Sequence, residues 1–293
     1  MAHIPSEEEI QQRLAMQERI KERLKNINLE GRVSKLVRVE PPPKPQVEKL
    51  SEKEIKRRVD EFMKPLAKKM WAPQIQKKTS TDPTCSKYFG NPWLYANEDW
   101  PMIAGKPATF VMQLNISTLP EEMAEKLGKK GLLQFFYQTS NSVYCSSFDE
   151  LALVRIVDTT KPGKTLTQPD IEDYSIPEEK IIINWKEYLE YPHNEDLDDI
   201  NGYNALEELA EGNGVYLNDL GGENYQGDKL GGWPFWTQAG SSLDGYVYQI
   251  DAGCFFNGLK VPAHAPGLFA GDGTGHIYVD PENGRGDFFW DCT

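Results

Sequence analysis

Apolar positions in the first quarter of the chain recur at helical spacing. Ser6-Glu7-Glu8-Glu9 has the form of a capping box, and Ile10, Leu14, Ile20, Leu24 and Ile27 follow at near-helical intervals, which predicts a helix over about 6–28. Pro41-Pro42-Pro43-Lys44-Pro45 then fixes the backbone in an extended linker, because proline locks φ and donates no hydrogen bond. Ser51-Glu52-Lys53-Glu54 is a second capping box. It opens a stripe of Ile55, Val59, Phe62, Leu66 and Met70, one face of a helix meant for burial. That face is expected to pack on the body of the protein; the other reading is an arm that grips a partner or a second copy of the chain.

From about residue 80 the period changes. Short runs of Phe, Tyr, Val and Ile alternate with Gly, Pro, Asn and Asp, the pattern of strands joined by turns. Residues 186–228 interrupt it with 12 acidic residues against one Lys, and Asn204–Ala210 is read as a short helix inside this polar insertion.

Two stretches of the β-rich region match. Phe110-Val111-Met112-Gln113-Leu114-Asn115 aligns with Tyr246-Val247-Tyr248-Gln249-Ile250-Asp251. Upstream, Lys87-Tyr88-Phe89-Gly90-Asn91-Pro92-Trp93 parallels Lys229-Leu230-Gly231-Gly232-Trp233-Pro234-Phe235. Downstream, Gly131–Tyr137 has a looser echo in Gly273–Val279. The same order of features recurs about 140 residues later (87 to 229, 110 to 246), which predicts a duplicated folding unit. The expected fold is therefore α+β, with two similar antiparallel-sheet halves behind a helical N-terminal arm. The arm and linker take residues 1–50 and the body 51–293, with halves at about 80–160 and 225–293.

The segment Lys229-Leu230-Gly231-Gly232-Trp233-Pro234, with Gln238, Gln249-Ile250-Asp251, Gly271-Asp272-Gly273 and the Gly131 strand, resembles the YwqG-like bacterial proteins over roughly 60–293. The resemblance implies the two-halved α+β fold and brings no active site with it. The N-terminal arm departs from the family pattern, and so does Asn91 in the first copy of the loop.

Gln113 and Gln249 sit among apolar neighbours. Buried amides must find partners, so each is expected to peg its strand to a facing loop. Trp233 and Trp236 are expected as walls of the core or of a cleft between the halves. That cleft would be lined by Gln113, Trp233, Trp236, Gln238, Gln249, Asp272 and His276; His276 and Asp272 are a conceivable acid–base pair if the loop folds back, but a satisfied strand-end histidine is the favoured reading.

Other chemistries find less support. Gly271-Asp272-Gly273-Thr274-Gly275 is followed by strand residues instead of a helix, so it is read as a turn and not as a phosphate loop. Asp280-Pro281-Glu282-Asn283-Gly284 and Asp196–Glu207 are oxygen-rich, yet their spacing is not that of a calcium loop, and Asn283-Gly284 is a two-residue turn signal. The four histidines, at 3, 193, 264 and 276, have no metal-binding spacing, and no Gly-x-Ser-x-Gly is present. No catalytic residue, metal or cofactor is assigned.

The charge sharpens the picture. Residues 1–80 carry 19 Lys and Arg against 12 Asp and Glu, whereas residues 81–293 carry 13 against 33, within a net charge of −13. An acidic body repels nucleic acid and attracts basic proteins. Cys85, Cys145, Cys254 and Cys292 are scattered, as in reduced cytoplasmic proteins, and neither a secretory signal nor a spanning segment is visible. The sequence thus points to a non-catalytic protein-binding protein, cytoplasmic, with an immunity-type or adaptor role as one concrete form and self-association through the arm as another property. The alternative is an enzyme or small-ligand binder using the cleft between the halves.

Overall fold

The computed structural model describes residues 48–77, 79–139, 151–172, 174–192, 194–197, 200–216, 225–238, 244–253, 264–271, 273–280 and 282–292. The predicted helix over 6–28 and the proline linker lie outside the described residues, as do Asp272, His193, Cys145 and Cys254.

Helix α1 (Glu52–Met63) starts where the second capping box predicts, with the Ser51 hydroxyl accepting from the Glu54 amide. Its buried residues, Ile55, Val59 and Met63, pack against Leu197, Tyr203 and Ala210. The stripe does not run on through Leu66 and Met70 as one helix. Pro65 lacks the amide that another turn would need, so Lys64–Leu66 forms a single tight turn and Met70 falls on strand β1 (Lys68–Gln76).

The remaining elements, in chain order, are β2 (Lys87–Tyr88), β3 (Trp93–Tyr95), β4 (Met102–Ile103), β5 (Lys106–Pro107), β6 (Thr109–Asn115), α2 (Glu121–Lys126), β7 (Leu132–Tyr137), β8 (Ala152–Val157), β9 (Gly163–Thr165) and β10 (Lys180–Glu190). They are followed by α3 (Asn194–Leu197), α4 (Tyr203–Glu211), β11 (Lys229–Gly231), β12 (Tyr246–Asp251), β13 (Thr274–Asp280) and β14 (Arg285–Asp291). The acidic insertion is thus shorter than its composition implied, because residues 186–190 belong to β10. The short helix within it is α4.

Ten strands close into one antiparallel barrel, in the order β1-β10-β2-β6-β7-β8-β14-β13-β12-β11. Closure makes the body a single β-rich barrel with few helices, where two separate sheets were expected. Read from the β1–β10 seam, the order β10-β2-β6-β7-β8 on one side faces β1-β11-β12-β13-β14 on the other. Ladder irregularities fall between Phe110 and Met112 on β6 and between Tyr246 and Tyr248 on β12, at aligned positions. The Ile116 amide bonds to the Gly131 carbonyl as the Ala252 amide bonds to that of Gly273.

Strands β6, β7 and β12 are buried along nearly their whole length, on both faces. Inside, Tyr88, Val111, Leu133, Phe135, Val247, Ile277 and Phe288 belong to one continuous core. On the outer face Phe110 and Phe136 meet Leu94, Ile103 and Ala108. A strand covered on both sides cannot show polar alternation, and these segments read instead as unbroken apolar runs. Asp280 pairs with Arg285, so the link from β13 to β14 is four residues long and not the two-residue turn expected at Asn283-Gly284; Gly284 within it has φ 68°.

Candidate functional site

Each half of the barrel holds a tight loop at its wall, built from the repeated Lys-x-x-Gly-x-Pro. In the second half, Gly231 and Gly232 have φ 69° and 74°; in the first, Phe89 and Gly90 have 53° and 76°. The second glycine of each loop is required twice over. Beyond its dihedral, a side chain on Gly232 would meet the Glu190 carboxylate at 2.7 Å, and one on Gly90 would collide with that of Glu179. Phe89 pays for its left-handed backbone by burying its ring completely in the core.

The lysine that opens each loop is paired with a carboxylate. Lys87 Nζ donates to Glu179 Oε2 at 3.0 Å and to the Asn91 carbonyl at 2.7 Å. Lys229 Nζ lies 2.5 and 3.2 Å from the two oxygens of Glu190. The two carboxylates flank one strand: Glu179 immediately precedes β10 and Glu190 ends it.

The glutamines act as pegs, as their apolar surroundings predicted. Gln113 Oε1 accepts from the Trp93 amide at 3.1 Å, while its Nε2 donates to the Pro83 and Cys85 carbonyls. Gln249 Oε1 accepts from the Phe235 amide at 2.7 Å, and its Nε2 donates to the Gln226 and Gly227 carbonyls. Both side chains are fully buried. Their place is inside the scaffold of each loop, where they bind the chain itself.

The two loops differ in what covers them. Over the second, Lys229 and Glu190 are 0% and 2% exposed. Burial pulls the ammonium of Lys229 down and pushes the Glu190 carboxyl up, each partly offset by the other. Asp196, from α3, accepts from Trp236 Nε1 at 2.8 Å and adds a second negative group near Lys229. Trp233 Nε1 donates to the Leu66 carbonyl, and Lys68 lies 3.4 Å over the Trp233 ring. Helices α1, α3 and α4 form the apolar cluster of this cover.

Over the first loop no such cover exists among the described residues. A cavity of about 520 Å³ opens there, bounded by residues 79–83, the Gly90–Trp93 loop, β9 and Glu179. Lys87 lines it, as do the hydroxyl residues Ser80, Thr81 and Thr165 and a second lysine, Lys164.

The expected cleft residues are therefore divided. Trp233, Trp236, Gln249 and His276 gather around the sealed loop, all buried, and Gln113 belongs to the open one. Gln238 is exposed and uses its backbone amide, which donates to Asp291 at 2.8 Å. His276 lies within β13, with Nε2 3.2 Å from Asp291 Oδ1 and its ring against Trp236. Burial depresses its pKa, an effect that the Asp291 carboxylate partly offsets. Among the described residues no group of three His, Cys, Asp or Glu could hold a metal ion, and no helix is long and apolar enough to cross a membrane.

Sequence reasoning missed Glu179, Glu190 and Lys164. The repeated lysines carried a signal, since a buried lysine demands a carboxylate, but β10 lies outside the matched segments and nothing there marked its ends. Residues 79–81 and 163–165 have no motif at all.

A closed ten-stranded antiparallel barrel with a lysine–carboxylate loop in each half defines the structural class of this chain. A family model described as a domain of unknown function, DUF1963, matches residues 86–253, from the residue before β2 to two residues past β12, and the chain belongs to that family. A search of the curated proteins found none that matches.

Proposed function

We propose that this protein is a non-catalytic binding module that takes a small polar ligand in the cavity over Lys87 and Glu179. The observation that carries this reading is the difference in cover between two otherwise matched loops. One is closed by the chain's own helices; the other leaves about 520 Å³ above a buried lysine, within the ~300–1,000 Å³ range of small-molecule sites. The largely buried Lys87–Glu179, Lys229–Glu190 and His276–Asp291 pairs bind one another, which favours binding over chemistry. The cavity lies beside the first loop, away from Trp233, Trp236, Gln249 and His276, so the expected cleft between halves plays no part in this reading.

Two finer readings belong with it. The matched pegs, ladder irregularities and strand order support descent of the halves from one duplicated unit, and the Gly-Gly-x-Pro loop with its glutamine supports a YwqG-like place within the family. Thermal denaturation of the full chain against a panel of polar metabolites tests the binding reading. At least one compound should raise the Tm, and Thr165→Trp, which fills the opening from an exposed position, should abolish the rise. A panel with no Thr165-sensitive compound counts against the cavity as a site.

A second reading is favoured by charge: the deficit of 20 positive charges over residues 81–293 suits a basic protein partner, in an adaptor or immunity-type role. It predicts recovery of a protein from native lysate that is lost at high salt, and recovery unaffected by salt would oppose it.

A further inference from the structure

We propose that the ligand of the open cavity is a small organic acid whose carboxylate fills the position that Asp196 occupies over the sealed loop. The inference deepens the binding reading above and rests on it. Around the sealed loop the charges balance: Lys229 and Lys68 face Glu190 and Asp196, and the effect of both carboxylates is felt at both lysines. The nearby Lys126 has Glu122 as its counter-charge and donates to the Tyr246 carbonyl. The cavity lining of the open loop holds two lysines, Lys87 and Lys164, and one carboxylate, Glu179. Glu179 is already committed to Lys87 at 3.0 Å, and Lys164 forms no ion pair among the described residues. The next carboxylate along the chain, Asp82, is turned to the amide and hydroxyl of Thr84.

The open loop thus has the lysine–glutamate floor of its counterpart and, among the described residues that line the cavity, an excess of one positive charge, in a protein whose net charge is −13. What it lacks is the third element of the sealed arrangement, a carboxylate delivered from above. In the second half the chain supplies that group itself, from the α3 segment inserted after β10; the described residues of the first half supply none, and in this proposal it comes from solution. A single negative charge restores the balance. The hydroxyls of Ser80, Thr81 and Thr165 suit the remaining polar groups of a hydroxy or oxo acid.

The test is a calorimetric titration of the full chain with acetate, lactate and succinate, with lactamide as the neutral isostere and inorganic phosphate as a different anion, at fixed ionic strength. At least one carboxylate should bind saturably and at least tenfold more tightly than lactamide. Lys164→Ala should weaken it at least tenfold, and Lys164→Arg should retain most of it. Equal binding of lactate and lactamide, or binding of phosphate alone, overturns the carboxylate while leaving the cavity a ligand site. If no probe binds and the metabolite panel also gives no Thr165-sensitive compound, the binding reading falls with it.

Discussion

The two loops of this barrel are built to one plan and put to different use. Each has a lysine bonded to a glutamate, a glycine with positive φ against that glutamate, and a glutamine that holds the loop to its strand. In the second half α1, α3 and α4 seal the arrangement; in the first it faces a cavity. The same polar contacts therefore serve stability where water is excluded and leave a surface for recognition where it is not. A buried charge pair tolerates the loss of neither partner, whereas a pair near solvent keeps water as a substitute.

The residues beneath the loops differ in the same sense, and here the largest effect is expected. Ser86 Oγ accepts from the Asn115 amide, while its counterpart Asp228 uses Oδ1 to accept from the Asp251 amide. Burial pushes the Asp228 carboxyl up to about 8, which the Tyr88 hydroxyl and the Asp251 amide offset only in part. With a folded pKa above the unfolded one, its contribution is fully present below about pH 4 and is lost as the pH rises to about 8. The decline is on the order of 5 kcal/mol, at about 1.4 kcal/mol per pKa unit. Asp228→Ser, which gives the second half the residue of the first, should remove that decline in urea denaturation followed from pH 4 to 9. An unchanged pH slope would show that Asp228 is not the group responsible.

Removing the lysines comes next. Lys229→Met leaves Glu190 buried and uncompensated and should cost about 3–5 kcal/mol, whereas Lys87→Met should cost less because Glu179 is 14% exposed. Equal losses in chemical denaturation would break the distinction between sealed and open loops. Gly232→Ala should follow at about 3 kcal/mol, the sum of a left-handed backbone penalty and a clash with Met70 Cβ at 2.6 Å. Gly90→Ala should cost about 1–2 kcal/mol, since the Glu179 side chain can swing toward the cavity. Smallest is the expected difference between the pegs. Gln113→Leu and Gln249→Leu each orphan a loop amide and two carbonyls, and each should cost about 2–3 kcal/mol, within about 1 kcal/mol of the other. A large inequality would mean that the halves do not use their glutamines alike.

Much of the scaffold was legible beforehand because local rules governed it. Ser51 caps α1, the Asn283-Gly284 signal falls in the link between β13 and β14, and the two glutamines, flanked by apolar residues, had to be buried and bonded. Helix α1 was overextended because the apolar stripe continues past Pro65 and the period outlasts the helix. His276 was readable as a satisfied strand histidine, but its partner, Asp291 on the adjacent strand, was not. The candidate site was the least legible part. Lys87 stood in a recognised repeat, but its carboxylate lies 92 residues away and the cavity is framed by residues 79–83 and 163–165, which have no pattern of their own.

By itself the sequence determined the β-rich character, the matched loop segments, the pegging role of the glutamines and the acidic body. These depend on side-chain period, backbone dihedrals and charge, all of which are properties of short segments. Only the tertiary structure decided that ten strands close into one barrel, that a single strand brings a glutamate to each lysine, and that one loop is covered while the other is open. Such outcomes depend on which distant segments exclude water from one another, and burial of that kind has no local signature.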